Sequence, residues 1–283
     1  MFVDILGKAK LKIGINISCD GSAEGLLSTA SLYAREGYDA LCMPVIYKYM
    51  PSCEISGVKV LPSAAYIFGE GCEEGKKISI IGIGMTSDPE IPDDWRNMVK
   101  TSAQKAQETI KQIHFRGGVS IVILEPNTTL TEEEMEKLSE ADLIEATSMS
   151  HELFSALTTK EKFPSVTICD IDKPSSALIV DALDFSTHSI VMAIRAGRFF
   201  SSEGPELHLS QISPERIIIN CSPSLRVAYY SSSTAPSVEI LEEDSYIVPE
   251  YAIKENDSFV MASIFDYEGK RAFSSTHRVE KVI

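Results

Sequence analysis

Positive charge is scarce in this chain. Lys and Arg number 26 against 41 Asp and Glu, a formal charge of −15 over 283 residues. The deficit is general, with 28 acidic and 19 basic residues up to residue 200 and 13 and 7 beyond it. Such a surface repels phosphate backbones and anionic lipid, which argues against nucleic acid and membrane as partners. Long apolar runs are also missing. None nears the ~20 residues of a bilayer span, and "MFVDILGKAKLKIG" lacks a basic start followed by a long apolar core. A soluble, cytoplasmic protein is therefore expected. The six cysteines (Cys19, Cys42, Cys53, Cys72, Cys169 and Cys221) show no Cys-X-X-Cys spacing and read as small buried hydrophobes in a reducing compartment. There is no internal repeat and no low-complexity tract.

What is present suits a sizeable core: 44% apolar and 24% charged residues. Up to about residue 200, short apolar runs alternate with stretches at helical spacing. The runs are Leu11 to Ile17, Ala40 to Val45, Val58 to Tyr66, Ile78 to Met85, Val119 to Leu124, Leu143 to Ala146 and Val166 to Cys169. Nearly unbroken Ile and Val rich runs suit strands covered on both faces, as parallel strands are. Between them, Ala106, Ile110 and Ile113 share one helical face with Trp95 and Met98, and Gly117-Gly118 ends that stretch. Thr131 and Glu134 have capping-box spacing. Leu26, Leu27, Ala30 and Tyr33 predict a helix before Gly37.

After Gly204-Pro205 helical spacing gives way to short β-rich segments such as "ERIIINCS", "RVAYYSSS" and "DSFVMASIFDYEGKRAFSST", with a hairpin turn expected at Asp266 to Gly269. The expected architecture is α/β: a distorted (βα)7 barrel over residues 1–203, then a small antiparallel β-sandwich over 204–283.

In a barrel the loops after the strands form the face where chemistry is built. Acids stand at three of these corners: Asp20 after the first strand, Glu125 closing "VSIVILE", and Asp170 with Asp172 closing "VTICDID". Each is a hard oxygen ligand or general base in one reading and a helix cap or turn former in the other. The five histidines (His114, His151, His188, His208 and His277) read as helix or surface residues.

The order of segments resembles the polymerase and histidinol phosphatase (PHP) family of metal-dependent phosphoesterases over most of residues 10–200. "DGSAEGLLSTASLYAREGYDALCMPV" resembles its Asp-Gly corner, first helix and second strand, "GVKVLPSAAY" its third strand, and "IHFRGGVSIVILEP" its helix-Gly-Gly-strand unit. The resemblance implies up to three divalent cations held by histidines and carboxylates. It also exposes departures. The family's first histidine-any-histidine corresponds to Asn16-Ile17-Ser18, its aspartate-histidine pair to Pro44-Val45, its third-strand glutamate to Ala65, its histidine before proline to Glu125, and its last aspartate-any-histidine to Asp170-Ile171-Asp172. Of the implied ligands, Asp20 and Asp170 alone are unchanged.

Pro44, Val45 and Ala65 cannot donate through their side chains, so a trinuclear centre is not expected. Without cations, Asp20, Glu125, Asp170 and Asp172 leave up to four negative charges, and each pair at ~6 Å costs about 3 kcal/mol at an effective dielectric of ~20. That rim would exclude a phosphate dianion. The expectation is a degenerate PHP-like pseudoenzyme, a scaffold, sensor or binding protein for a small molecule or protein, with no cofactor and no assigned catalytic residue. The alternative is a metal-dependent phosphoester hydrolase in which Asp20, Glu125, Asp170 and Asp172 hold one or two cations such as Mg, Mn or Ca.

Overall fold

The structure, a computed structural model, describes residues 2–3, 9–19, 21–69, 76–91, 100–125, 128–146, 164–169, 174–233, 237–241 and 248–279. In chain order the elements are β1 (Phe2–Val3), β2 (Ala9–Gly14), α1 (Ala23–Arg35), β3 (Ala40–Leu41), β4 (Cys53–Ile55), β5 (Val58–Val60), β6 (Ser63–Phe68), β7 (Ile78–Ile83), α2 (Ser102–Phe115), β8 (Val119–Leu124), α3 (Glu132–Leu138), β9 (Leu143–Glu145), β10 (Ser165–Thr167), β11 (Ala177–Ala182), α4 (Thr187–Arg195) and β12 (Phe199–Ser202). There follow β13 (Leu207–Ser213), β14 (Arg216–Cys221), β15 (Arg226–Ser231), β16 (Ser237–Ile240), β17 (Glu250–Ala252), β18 (Phe259–Phe265), β19 (Arg271–Ser274) and β20 (His277–Arg278). No described helix is long and apolar enough to cross a membrane.

The helices form where local chemistry favours them. Ser22 caps α1 by accepting from Gly25 N–H, and Thr101 with Gln104 and Thr131 with Glu134 make reciprocal capping boxes on α2 and α3. Ala106, Ile110 and Ile113 of α2 are fully buried, as their spacing predicts. Trp95 and Met98 lie outside the described residues.

The class is α/β, but the described strands form no closed (βα)7 barrel and no separate sandwich after it. One twelve-stranded sheet has the order β16-β15-β18-β19-β12-β11-β2-β3-β5-β4, with β1 on β2 and β20 on β18. A second has the order β10-β9-β8-β7-β6, and a third β13-β14-β17. A βα barrel needs every neighbour parallel. Here β11 is antiparallel to both β2 and β12, and β7 to both β6 and β8. Among the described residues, parallel ladders are confined to β2-β3-β5 and β8-β9-β10, with one isolated parallel bridge between Ile46 and Ala65.

Connection length explains part of the difference. Nine residues separate β6 from β7, too few for the crossover of a dozen or more residues that parallel neighbours require. The expected run Val58 to Tyr66 is also two strands, broken at Leu61-Pro62, with β5 in the large sheet and β6 in the five-stranded one. At the far end, β12 pairs with β19, Phe200 opposite Ser274, so the C-terminal strands extend the N-terminal sheet.

Three apolar layers hold the N-terminal elements together. Val122, Ile144 and Val166 on one face of the five-stranded sheet pack with Ala106, Ile110 and Ile113 of α2 and Leu138 of α3. Its other face meets the large sheet through Ile81, Ile121 and Leu143 against Leu11, Ile13 and Val180, with Ile190 and Ile194 of α4. Beyond the large sheet, Leu41, Val58 and Val60 pack on Ala30 and Tyr33 of α1. Strands covered on both faces account for the continuous apolar runs. A fourth core, with Leu207, Ile217 and Ile219 against Val227, Val260 and Ile264, joins the three-stranded sheet to the C-terminal part of the large one.

Candidate functional site

The loops after β2, β3, β8, β9 and β10 lie at the carboxyl ends of parallel strands, where α/β folds build sites. Of the four predicted metal ligands, Asp20, Asp170 and Asp172 lie outside the described residues. Glu125 follows β8 and is exposed, with Oε1 3.2 Å from Lys77 Nζ. Its backbone is held as well, N–H donating to Lys77 O and C=O accepting from Thr128 N–H. Among the described residues, no group of three or more His, Cys, Asp and Glu converges as a metal cluster.

The loop after β3 brings together two positions that the resemblance pairs with ligands. Ala65 N–H donates to Val45 O at 3.1 Å, and Tyr47 N–H donates to Ala65 O at 2.7 Å. Val45 also stands beside the corner next to Asp20, since a Cβ built on Gly21 would meet Val45 Cγ2 at 3.5 Å. On the first loop, Asn16 takes a left-handed φ of 56° and Ile17 is buried, its N–H donating to Cys42 O at 3.0 Å. Burial pushes the Cys42 thiol up to about 12, against smaller opposing effects from the Asn16 backbone and the Ser63 hydroxyl. This corner is lined by Val45, Ala65, Ile17 and a neutral buried thiol. The described residues of this corner do not supply the donor set of a polynuclear cation centre.

No protein-family model and no curated protein matches the chain. Among solved structures, a two-domain protein from Bacteroides vulgatus ATCC 8482, described as containing a predicted PHP-like metal-dependent phosphoesterase, is 13% identical, with 94% of each chain covered and a TM-score of 0.47. The likeness is distant and assigns this chain no activity.

A serine, a histidine and an aspartate do meet, at the opposite end of the strands. His114 Nε2 lies 2.7 Å from Asp142 Oδ2 and 3.0 Å from Ser120 Oγ, while Ser120 N–H donates to the same Asp142 oxygen at 2.9 Å. A catalytic relay would place serine and aspartate on the two different imidazole nitrogens. Here one nitrogen meets both, the aspartate bonds the serine directly, and Ser120 is fully buried at the start of β8. The trio clamps α2 to the strand starts.

One carboxylate that sequence reasoning did not single out is Glu145. It ends β9, stands opposite Thr167 of β10 in register, and is buried. Alternation puts its side chain on the same face as Leu143, toward the core between the two large sheets. Its negative charge adds to that of Glu203 in holding the Arg271 guanidinium protonated. The sequence signal was weak, an acid inside the apolar run Leu143 to Ala146 rather than after it. Tyr229 on β15 is buried, and its hydroxyl donates to Glu239 at 2.7 Å.

Proposed function

We propose that this protein is a degenerate relative of the PHP phosphoesterases that acts as a scaffold, sensor or binding protein rather than as a trinuclear metal hydrolase. The backbone pairing of Val45 with Ala65 carries this reading. Two positions at which the resemblance implies a metal-binding side chain are adjacent, and neither offers a donor atom. Glu125 supports it, because the carboxylate nearest a ligand role is engaged by Lys77. We further propose that residues 204–283, which contribute a core of their own, form the C-terminal unit of a two-part chain ending its first part at residue 203.

Metal content per chain of the purified protein, compared between wild type and Asp170→Ala, is the deciding measurement. Expected are no stoichiometric metal in either form, no rise in Tm with added Mn or Zn, and no phosphoester hydrolysis. Stoichiometric metal in the wild type that is lost in Asp170→Ala, together with metal-dependent hydrolysis, would replace this reading with that of a hydrolase holding one or two cations on Asp20, Glu125, Asp170 and Asp172.

A further inference from the structure

Tyr47 holds a backbone conformation that a bulky residue rarely adopts, with a φ of 54°. Such strain persists where neighbours over-determine it, and it recurs at ligand clamps. Both ends of Tyr47 are tied to β6, its N–H donating to Ala65 O at 2.7 Å and its hydroxyl to Ile67 O. The ring is therefore 50% exposed and yet fixed. It forms a T with the ring of Tyr66, centroids 6.3 Å apart at 66°.

Tyr66 and Tyr49 belong to the apolar layer under α2, together with Met85 and Ile91 of the segment after β7. Tyr49 donates its hydroxyl to Met85 O at 3.1 Å. Between those two anchors Pro89 is buried and Asp88 is exposed. The Asp88 carboxylate faces both phenols: burial raises their pKa values above the ordinary one, and the negative charge of Asp88 raises them further. Tyr66 is 3% exposed, and its hydroxyl closes no hydrogen bond of ordinary geometry. A buried oxygen left without a partner is costly. Beside a carboxylate, the partner that suits it is a donor carrying positive charge.

No described cation of the chain fills that role. Asp88 has no ion pair, and neither has the exposed Lys48 between Tyr47 and Tyr49. Arg116 is engaged by Glu90, Nη2 lying 3.3 Å from Oε1. We propose that Tyr47, Tyr49, Tyr66 and Asp88 form a binding site for a small ligand that carries a primary ammonium group. The ammonium donates to the Asp88 carboxylate and to the Tyr66 oxygen, and its charge lies against the Tyr47 ring. A chain at −15 favours such a cation over an anion. The proposal does not depend on the metal-ligand positions, and metal found or absent there leaves it unaffected.

The probe is n-butylammonium titrated into the full chain, with butyrate and tetramethylammonium as controls, followed by amide chemical shifts. Saturable binding in the millimolar range is expected, with shifts at Tyr47, Tyr49 and Asp88, and no matching response to either control. Asp88→Asn should weaken binding about tenfold or more at unchanged Tm. Tyr66→Phe removes a hydroxyl that has no partner, so its Tm should not fall, while binding weakens about threefold or more. Equal affinity in Asp88→Asn, a lowered Tm in Tyr66→Phe, either control binding as tightly as n-butylammonium, shifts confined to other parts of the chain, or no binding at tens of millimolar ligand would each overturn the proposal.

Discussion

Arg271 grips Glu203 in a fork, with Nη2 2.8 Å from Oε1 and Nε 3.1 Å from Oε2, while its backbone N–H donates to Oε2 at 2.8 Å. Glu203 follows β12 and Arg271 opens β19, so the pair pins the junction at which the C-terminal strands join the large sheet. Partial burial pushes the Glu203 carboxyl up, but the three Arg271 bonds outweigh it and hold the carboxyl below its ordinary value.

The pair should therefore contribute stability that depends on pH in one direction. A depressed carboxylate pKa stabilises the fold above the unfolded value of about 4.5 and loses that contribution as pH falls through the folded one. Glu203→Gln is expected to cost about 1 kcal/mol at pH 7, a modest figure because the pair is partly solvated. Urea midpoints of the variant and the wild type should differ at pH 7 and converge near pH 3. A gap that widens on acidification would refute the assignment.

The trio of His114, Ser120 and Asp142 is expected to be structural. Ser120→Ala deprives Asp142 of a buried partner and should cost about 1–2 kcal/mol, read as a lower Tm. The wild-type protein should not be labelled at Ser120 by a fluorophosphonate, since Ser120 and Asp142 meet the same imidazole nitrogen and the ring does not stand between them as a relay. Stoichiometric labelling of Ser120 would make the trio catalytic.

Gly84 should tolerate no side chain. Its φ is 74°, and a Cβ there would lie 2.2 Å from Val191 Cγ2 on α4. Gly84→Ala combines that overlap with a disfavoured backbone, and a loss of about 2 kcal/mol or more is expected. In Gly84→Ala/Val191→Ala the overlap is gone while the positive φ remains, so the backbone part of the loss should persist. Denaturant midpoints of the two variants separate the contributions, and wild-type stability in either would contradict the close approach of α4.

Local features were legible in the chain, and long-range pairing was not. The buried face of α2 followed from Ala106, Ile110 and Ile113, the start of α3 from Thr131 and Glu134, and the β18 to β19 hairpin from Asp266 to Gly269, where Gly269 N–H donates to Asp266 O. Each depends on residues within a few positions of one another. Strand direction does not. Leu11 to Gly14 reads the same whether its neighbour β11 runs with it or, as it does, against it, because a strand buried on both faces has no period to betray its partner. The break at Pro62 had a visible cause, the missing amide, yet its effect of sending β6 to another sheet rests on partners elsewhere in the chain. For the candidate site, residue chemistry identified Val45 and Ala65 as non-donors, but nothing local says that their backbones pair. Glu145 falls inside the apolar run Leu143 to Ala146 rather than after it, so its position in the sequence does not mark it as an acid at a strand end.

Cysteine reactivity provides the last expected outcome. Cys42 is fully buried between the ends of the first parallel strands, and burial pushes its thiol up to about 12, so it stays protonated at pH 8. Cys53 on β4 is exposed, and burial raises its thiol less. Native protein treated with iodoacetamide at pH 8 should be modified at Cys53 within minutes. Cys42 should react only at the rate of unfolding, because both its ionisation and its access require the loop after β2 to leave Cys42 O, the acceptor of Ile17 N–H. Peptide mass mapping over time in 0 M and 2 M urea distinguishes the two thiols. Labelling of Cys42 as fast as Cys53 in the absence of urea would mean that this corner opens in the native state and is not the closed apolar plug on which the proposed loss of metal chemistry depends.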